Sequence, residues 1–296
     1  MKELCYIVDK KFLFHFNQEN LADKFEEIIS KSNFIESQKK EIFTGLKNGI
    51  NAELYSYEDF AADEMEACGI ILENKYNVPI ERKYYCSFRE YLIANQKGID
   101  LISLGYTDKY FAPELREIRK GLEKGLDVSI YDDNSKYNFE QMKIIRVGLQ
   151  ENLDVSWYAK PEFDSPQMAQ IRLGLENNIN IGIYFKLVFD WSQMKEIRLG
   201  LEKNLDVSLY AKPEFESEQM AQIRQGLEKG LDVSWYAKPE FDYQQMEQIR
   251  LGLEEGLDVS YYANPKITIY RIVKIKNALS KGNIKEVNNI LDSIFS

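Results

Sequence analysis

The chain has 296 residues, 44% hydrophobic and 29% charged, which is enough apolar material for a core and enough charge for solubility. No run approaches the roughly 18 apolar residues of a membrane span, and a net charge of −10 argues against a phosphate-binding surface of clustered Lys and Arg. Three cysteines, Cys5, Cys68 and Cys86, are too few for a disulfide framework, so a reduced cytoplasmic setting without a leader peptide is expected.

In chain order, residues 1–33 are expected to form an N-terminal cap. "CYIV" and "FLFHF" suit a small β-hairpin, followed by a helix from about Glu19 to Ser30. Residues 34–110 hold degenerate copies of a repeat, centred on Gly45, Ile71 and Ala94. Residues 111–265 hold the regular copies, with a glycine at Gly121, Gly148, Gly174, Gly200, Gly226 and Gly252. The first step is 27 residues and each later step is 26. A last copy centres on Ala278, and residues 266–296 read as a C-terminal cap ending in a closing helix.

The unit, "QM.QIR.GLE.GLDVS.YAKPEF", reads as one long and one short helix. Met168, Ile171, Leu175 and Ile179 form a stripe at helical period. Asp164 and Asp242 suit the N-cap, and Pro166 suits the first turn. Gly125, Asn152, Asn178, Asn204, Gly230 and Gly256 stand where a left-handed residue ends a helix. Asp154, Asp206, Asp232 and Asp258 are placed to start the short turn, with Val233 and Tyr236 facing inward. Pro161, Pro213, Pro239 and Pro265 stop it, and Phe163, Phe189, Phe215 and Phe241 pin the next helix. A glycine in mid-helix costs about 1 kcal/mol against alanine, so its recurrence implies close approach by a neighbouring layer. One unit cannot bury its own stripe. The expected fold is therefore an all-α solenoid of about ten repeats, about 80–100 Å long at the usual helix spacing.

The phrase "GLEKGLDVS" is similar to the corner of ankyrin repeats, although the period is shorter and the T-P-L-H signature is absent. The whole unit resembles a repeat in proteins of Gram-positive anaerobes and their mobile elements. That resemblance covers roughly residues 110–265 and implies a biological setting but no mechanism.

Catalytic constellations are poorly supported. His15, the one histidine, lies in an apolar stretch near the N-terminus and suits a structural role. The cysteines lack zinc spacing, and there is no phosphate loop. No cofactor or metal is expected, and no enzyme. Arg119, Arg146, Arg172, Arg198, Arg224 and Arg250 share one register, but Glu123, Glu176, Glu202, Glu228 and Glu254 follow four residues later. The expectation is a surface network whose charges cancel, rather than a polyanion track.

Aromatic and aliphatic residues offer a better lead. The position before the constant tyrosine varies among Ile130, Trp157, Ile183, Leu209, Trp235 and Tyr261. Adaptable packing and a half-exposed contact ridge both fit. One copy departs further: "FKLVF" replaces "AKPEF", so Phe185, Leu187 and Val188 stand for Ala, Pro and Glu, and Trp191 stands where Ser165, Ser217 or Tyr243 do. Either the loop repacks inward or this is a binding hot spot. The candidate partner-binding residues are Phe185, Leu187, Val188, Trp191, Trp157, Trp235 and Tyr261. The leading expectation is a non-enzymatic protein-binding module that inhibits a bacterial defence complex, with no direct nucleic-acid or membrane binding. The alternative is an acidic nucleic-acid mimic that blocks a nucleic-acid-binding effector such as a CRISPR nuclease.

Overall fold

A computed structural model describes residues 4–7, 13–16, 20–84 and 86–295. Leu4–Ile7 (β1) and Leu13–Phe16 (β2) pair antiparallel, with Leu4 opposite Phe16 and Ile7 opposite Leu13. The side chains of Cys5 and His15 lie outside the described residues, and so does Glu19. Every other regular element among the described residues is helical.

The chain divides into two compact units, residues 1–150 and 151–296. After the strands, the N-terminal unit holds α1 (Leu21–Ile29), α2 (Glu36–Lys47), α3 (Ala62–Asn74), α4 (Phe88–Gln96), α5 (Ala112–Glu123) and α6 (Phe139–Gln150). The C-terminal unit holds α7 (Ser165–Glu176), α8 (Trp191–Glu202), α9 (Ser217–Glu228), α10 (Tyr243–Glu254), α11 (Ile269–Ser280) and α12 (Ile284–Phe295). Within each unit every helix packs on the next in sequence. That nearest-neighbour order is the α-solenoid arrangement.

Each module starts and stops by local chemistry. Asp164 caps α7 by accepting from the Gln167 amide at 2.7 Å, while Gln167 Oε1 accepts from the Asp164 amide at 3.0 Å. Ten modules end on a left-handed residue: Gly49, Lys75, Gly98, Gly125, Asn152, Asn178, Asn204, Gly230, Gly256 and Gly282. The amide after the left-handed residue then bonds back to the helix, as Leu205 N does to Gly200 O at 3.0 Å and Ile99 N to Ala94 O at 2.9 Å. In the short 3₁₀ turns, Asp206 accepts from the Ser208 amide at 3.1 Å. Val207 and Tyr210 point inward and Phe215 seals the next helix, all three buried. Burying side chains of this size stabilises by about 1.5–3 kcal/mol each.

The glycine behaves differently from the sequence expectation. A Cβ on Gly226 would lie 1.9 Å from Tyr236 Oη and 2.9 Å from a Val233 methyl. The close approach therefore comes from the module's own tyrosine ten residues on, not from the neighbouring layer. That hydroxyl donates to the carbonyl of Gln222 at 3.3 Å, as Tyr210 does to Glu196 at 3.2 Å. The hydroxyls of Tyr158 and Tyr262 are sealed in without a partner. The stripe is rotated accordingly: Met168, Ile171 and Gly174 are buried, whereas Leu175 and Ile179 are half-buried.

Two side chains bind module to module. The capping glutamine also reaches the next module: Nε2 of Gln193 donates to Phe215 O at 2.7 Å, and Nε2 of Gln219 to Phe241 O at 2.5 Å. A carboxamide can do both because it carries a donor and an acceptor. The arginine ladder requires a correction. For most members it is not a surface network: Arg119 and Arg250 are each only 7% exposed, whereas Arg172 keeps the expected surface pairing, with Glu176 four residues on and with Glu151. Arg119 Nε reaches back to Glu90 at 2.9 Å, Arg198 to Gln170 at 3.0 Å, Arg224 to Glu196 at 2.8 Å and Arg250 to Gln222 at 2.9 Å. The other edge of the guanidinium binds the glutamate four residues on, as in the Arg224–Glu228 pair. The acceptor on the preceding helix takes the side chain out of solvent, so these pairs join modules rather than decorate a face.

Candidate functional site

The residues singled out as a contact surface all lie in the C-terminal unit, where the turn geometry decides their fate. The 3₁₀ turn Val155–Trp157 buries Val155, and the residue after the turn, Tyr158, is also buried, which leaves Trp157 on the outside. The same turn recurs in each module and leaves Trp157, Leu209 and Trp235 exposed, at 41, 38 and 38%. Ile183 and Tyr261 at the same register are half-buried. One apolar side chain per module thus emerges at one register.

The anomalous copy keeps its neighbours' backbone. Phe185 N bonds Ile181 O at 2.8 Å, Lys186 N bonds Tyr184 O at 2.7 Å and Phe189 N bonds Lys186 O at 3.1 Å. The next module repeats these bonds at 2.7, 2.7 and 3.1 Å, from Ala211, Lys212 and Phe215. The fold therefore does not require the substitutions. Their side chains divide. Phe185 packs: its ring lies 5.4 Å from Trp157, edge to face, and 5.2 Å from Phe163, with the Lys160 ammonium 4.6 Å above it. Leu187, Val188 and Trp191 remain outside, at 57, 56 and 45% exposure. Tyr243, at the Trp191 register of α10, is exposed as well; its position in the repeat is the signal that identifies it.

Towards the C-terminal ends of α8, α9 and α10 the charges are paired. Glu202, Glu228 and Glu254 each bind the arginine of their own helix, and Lys203 and Lys229 reach Glu228 and Glu254 at 2.7 and 2.6 Å. The Lys229 ammonium bonded to Glu254 holds that carboxyl below the usual range. Burial pushes the phenols of Tyr184, Tyr210 and Tyr236 up, as expected of core groups. Burial likewise pushes the Cys68 thiol up, which leaves it protonated and unreactive. Among the described residues no cluster of His, Cys, Asp and Glu is arranged to hold a metal ion. No helix among them is long and apolar enough to cross a membrane. Comparison of the chain with family models, with curated proteins and with solved structures returns no match.

Proposed function

We propose that this chain is a non-enzymatic protein-binding module and that its contact surface is the apolar ridge of the C-terminal unit. The observation that carries the reading is the "FKLVF" copy, where an unchanged backbone presents Leu187, Val188 and Trp191 to solvent in place of a polar rim. Large apolar side chains held on a rigid scaffold are what an interface anchor requires. The resemblance of the repeat to proteins of mobile elements supports inhibition of a bacterial defence complex as the biological setting. The nucleic-acid-mimic reading is less favoured because Glu202, Glu228 and Glu254 are neutralised by arginine.

The test is affinity capture from a Gram-positive anaerobe, with the wild type and a Leu187→Ser/Trp191→Ser/Trp235→Ser variant run in parallel at low and high salt. A protein retained by the wild type at both salts, and lost by a variant with unchanged melting, is the expected result. Equal retention by both proteins contradicts the ridge reading. Binding that collapses at high salt favours the mimic.

A further inference from the structure

The ladder has one vacant seat. In α6, α8, α9 and α10 the eighth residue is an arginine held between the sixth residue of the preceding helix and the twelfth of its own. Arg119 of α5 uses Glu90, the third residue of the shorter α4, and Arg172 of α7 bonds Glu151 and Glu176. Arg119 sits between Glu90 and Glu123, and Arg224 between Glu196 and Glu228. In the α2–α3 pair the sixth residue of α2 is Glu41 and the twelfth of α3 is Glu73, so both carboxylates are present. The eighth residue of α3 is Gly69. The cation is missing.

A cavity of about 130 Å³ lies at that point, lined among others by Glu41, Gly45, Tyr55, Glu66, Gly69 and Glu73. An engineered cavity of about 150 Å³ takes up benzene, so this one has room for a planar group of guanidinium size. Among the described residues, none of the three glutamates forms an ion pair. Lys40 lies close enough to act on Glu41 but does not bond it. Burial, then repulsion from Glu66, pushes the Glu41 carboxyl up. Tyr55 adds a buried polar group to the cavity lining. It is 1% exposed, and its hydroxyl lies 3.7 Å from where a Gly69 Cβ would be. The equivalent Tyr131 and Tyr210 donate to carbonyls at 3.1 and 3.2 Å. Among the described residues the Tyr55 hydroxyl bonds nothing. Unlike the sealed hydroxyls of Tyr158 and Tyr262, it faces the cavity.

We infer that the α2–α3 cavity is a binding site for a guanidinium group supplied from outside the chain, seated between Glu41 and Glu73 as the ladder arginines are seated in the other modules. A guanidinium suits it better than an ammonium, because its planar rim of N–H donors can serve two carboxylates and a hydroxyl at once. The group could arrive on a small free guanidine or on an arginine side chain of another protein. The inference is independent of the C-terminal ridge, since every residue it uses lies in the N-terminal unit.

The test is titration of the full chain with agmatine, with urea as an uncharged molecule of similar shape, and with a short blocked peptide carrying one arginine. Wild type, Glu41→Gln, Glu73→Gln and Gly69→Arg are compared, each first shown to melt cooperatively. The expected result is saturable agmatine binding to wild type, at least about tenfold weaker in either glutamine variant, absent in Gly69→Arg, and no binding of urea. A peptide that binds about tenfold more tightly than agmatine identifies a protein as the source, and a peptide that binds no better identifies a free guanidine. Equal affinity across the variants, equal binding of urea, or no saturable binding overturns the inference.

Discussion

The helix pairs α8–α9 and α2–α3 share one plan and part ways at one register. In α8–α9, Arg224 bridges Glu196 on the preceding helix and Glu228 on its own. In α2–α3, Gly69 stands in its place, with a cavity beside Glu41 and Glu73. Both helices of the second pair still stop on a left-handed residue and pack on their neighbours, although Ile35 and Ala61 supply no side-chain cap. The comparison teaches that each position in the module has its own role. Caps and stops fix the helix, the glycine and tyrosine fix the turn against it, and the glutamine and arginine join neighbours. A position can lose its role without loss of the fold, and such positions are where a site can be built.

The largest expected effect comes from breaking a filled seat. Glu196→Ala leaves the Arg224 guanidinium without its partner on the preceding helix and should cost about 3 kcal/mol in denaturant unfolding. Glu196→Gln should cost under about 1 kcal/mol, because Gln170 and Gln222 already do this work for Arg198 and Arg250. Equal losses from the two variants would mean that the cross-module bond is idle.

A smaller effect contrasts two glycines. Gly226→Ala forces a methyl against Tyr236 Oη and a Val233 methyl, and about 1–3 kcal/mol of overpacking should outweigh the helix propensity gained. At Gly69 the nearest atom, Tyr55 Oη, is at ordinary contact distance, 3.7 Å. Gly69→Ala should therefore be neutral or stabilising by up to about 1 kcal/mol. Paired thermal melts decide the matter.

The smallest effect is pH-dependent. The folded-state value of Glu254 is lowered, chiefly by the bonded Lys229 ammonium. Its contribution is present above the range of an unfolded glutamate and is lost as pH falls through the lowered folded value. Lys229→Met should lower stability slightly at neutral pH and flatten the acid limb of a melting-temperature profile.

Much of this plan is legible in the sequence. Gly and Asn at the helix stops, Asp at the caps and the alternation of long and short helices follow from local backbone chemistry, which a single unit displays. The ladder is harder to read because Arg224 and Glu228 are visible as a pair on one helix, whereas the decisive acceptor lies on the preceding one. That acceptor alternates among Glu90, Gln170, Glu196 and Gln222, which hides any charge pattern. The glycine–tyrosine contact does leave a signal in the spacing. Gly45, Gly121 and Gly252 are followed ten residues later by Tyr55, Tyr131 and Tyr262, whereas Ala94 and Ala278 are followed by Leu104 and Asn288. For the surface residues, periodicity marks Trp157 and Trp191 as unusual, but only the turn geometry separates the packed Phe185 from the exposed Leu187.

The most direct measurement of the central claim, that module positions carry fixed roles, is a double-mutant cycle in thermal unfolding between Gly69→Arg and Glu41→Gln. If the vacant register is a ladder seat, Gly69→Arg raises the melting temperature in the wild-type background, and Glu41→Gln removes most of that gain. A fall in melting temperature with Gly69→Arg, unaffected by the residue at 41, would contradict it.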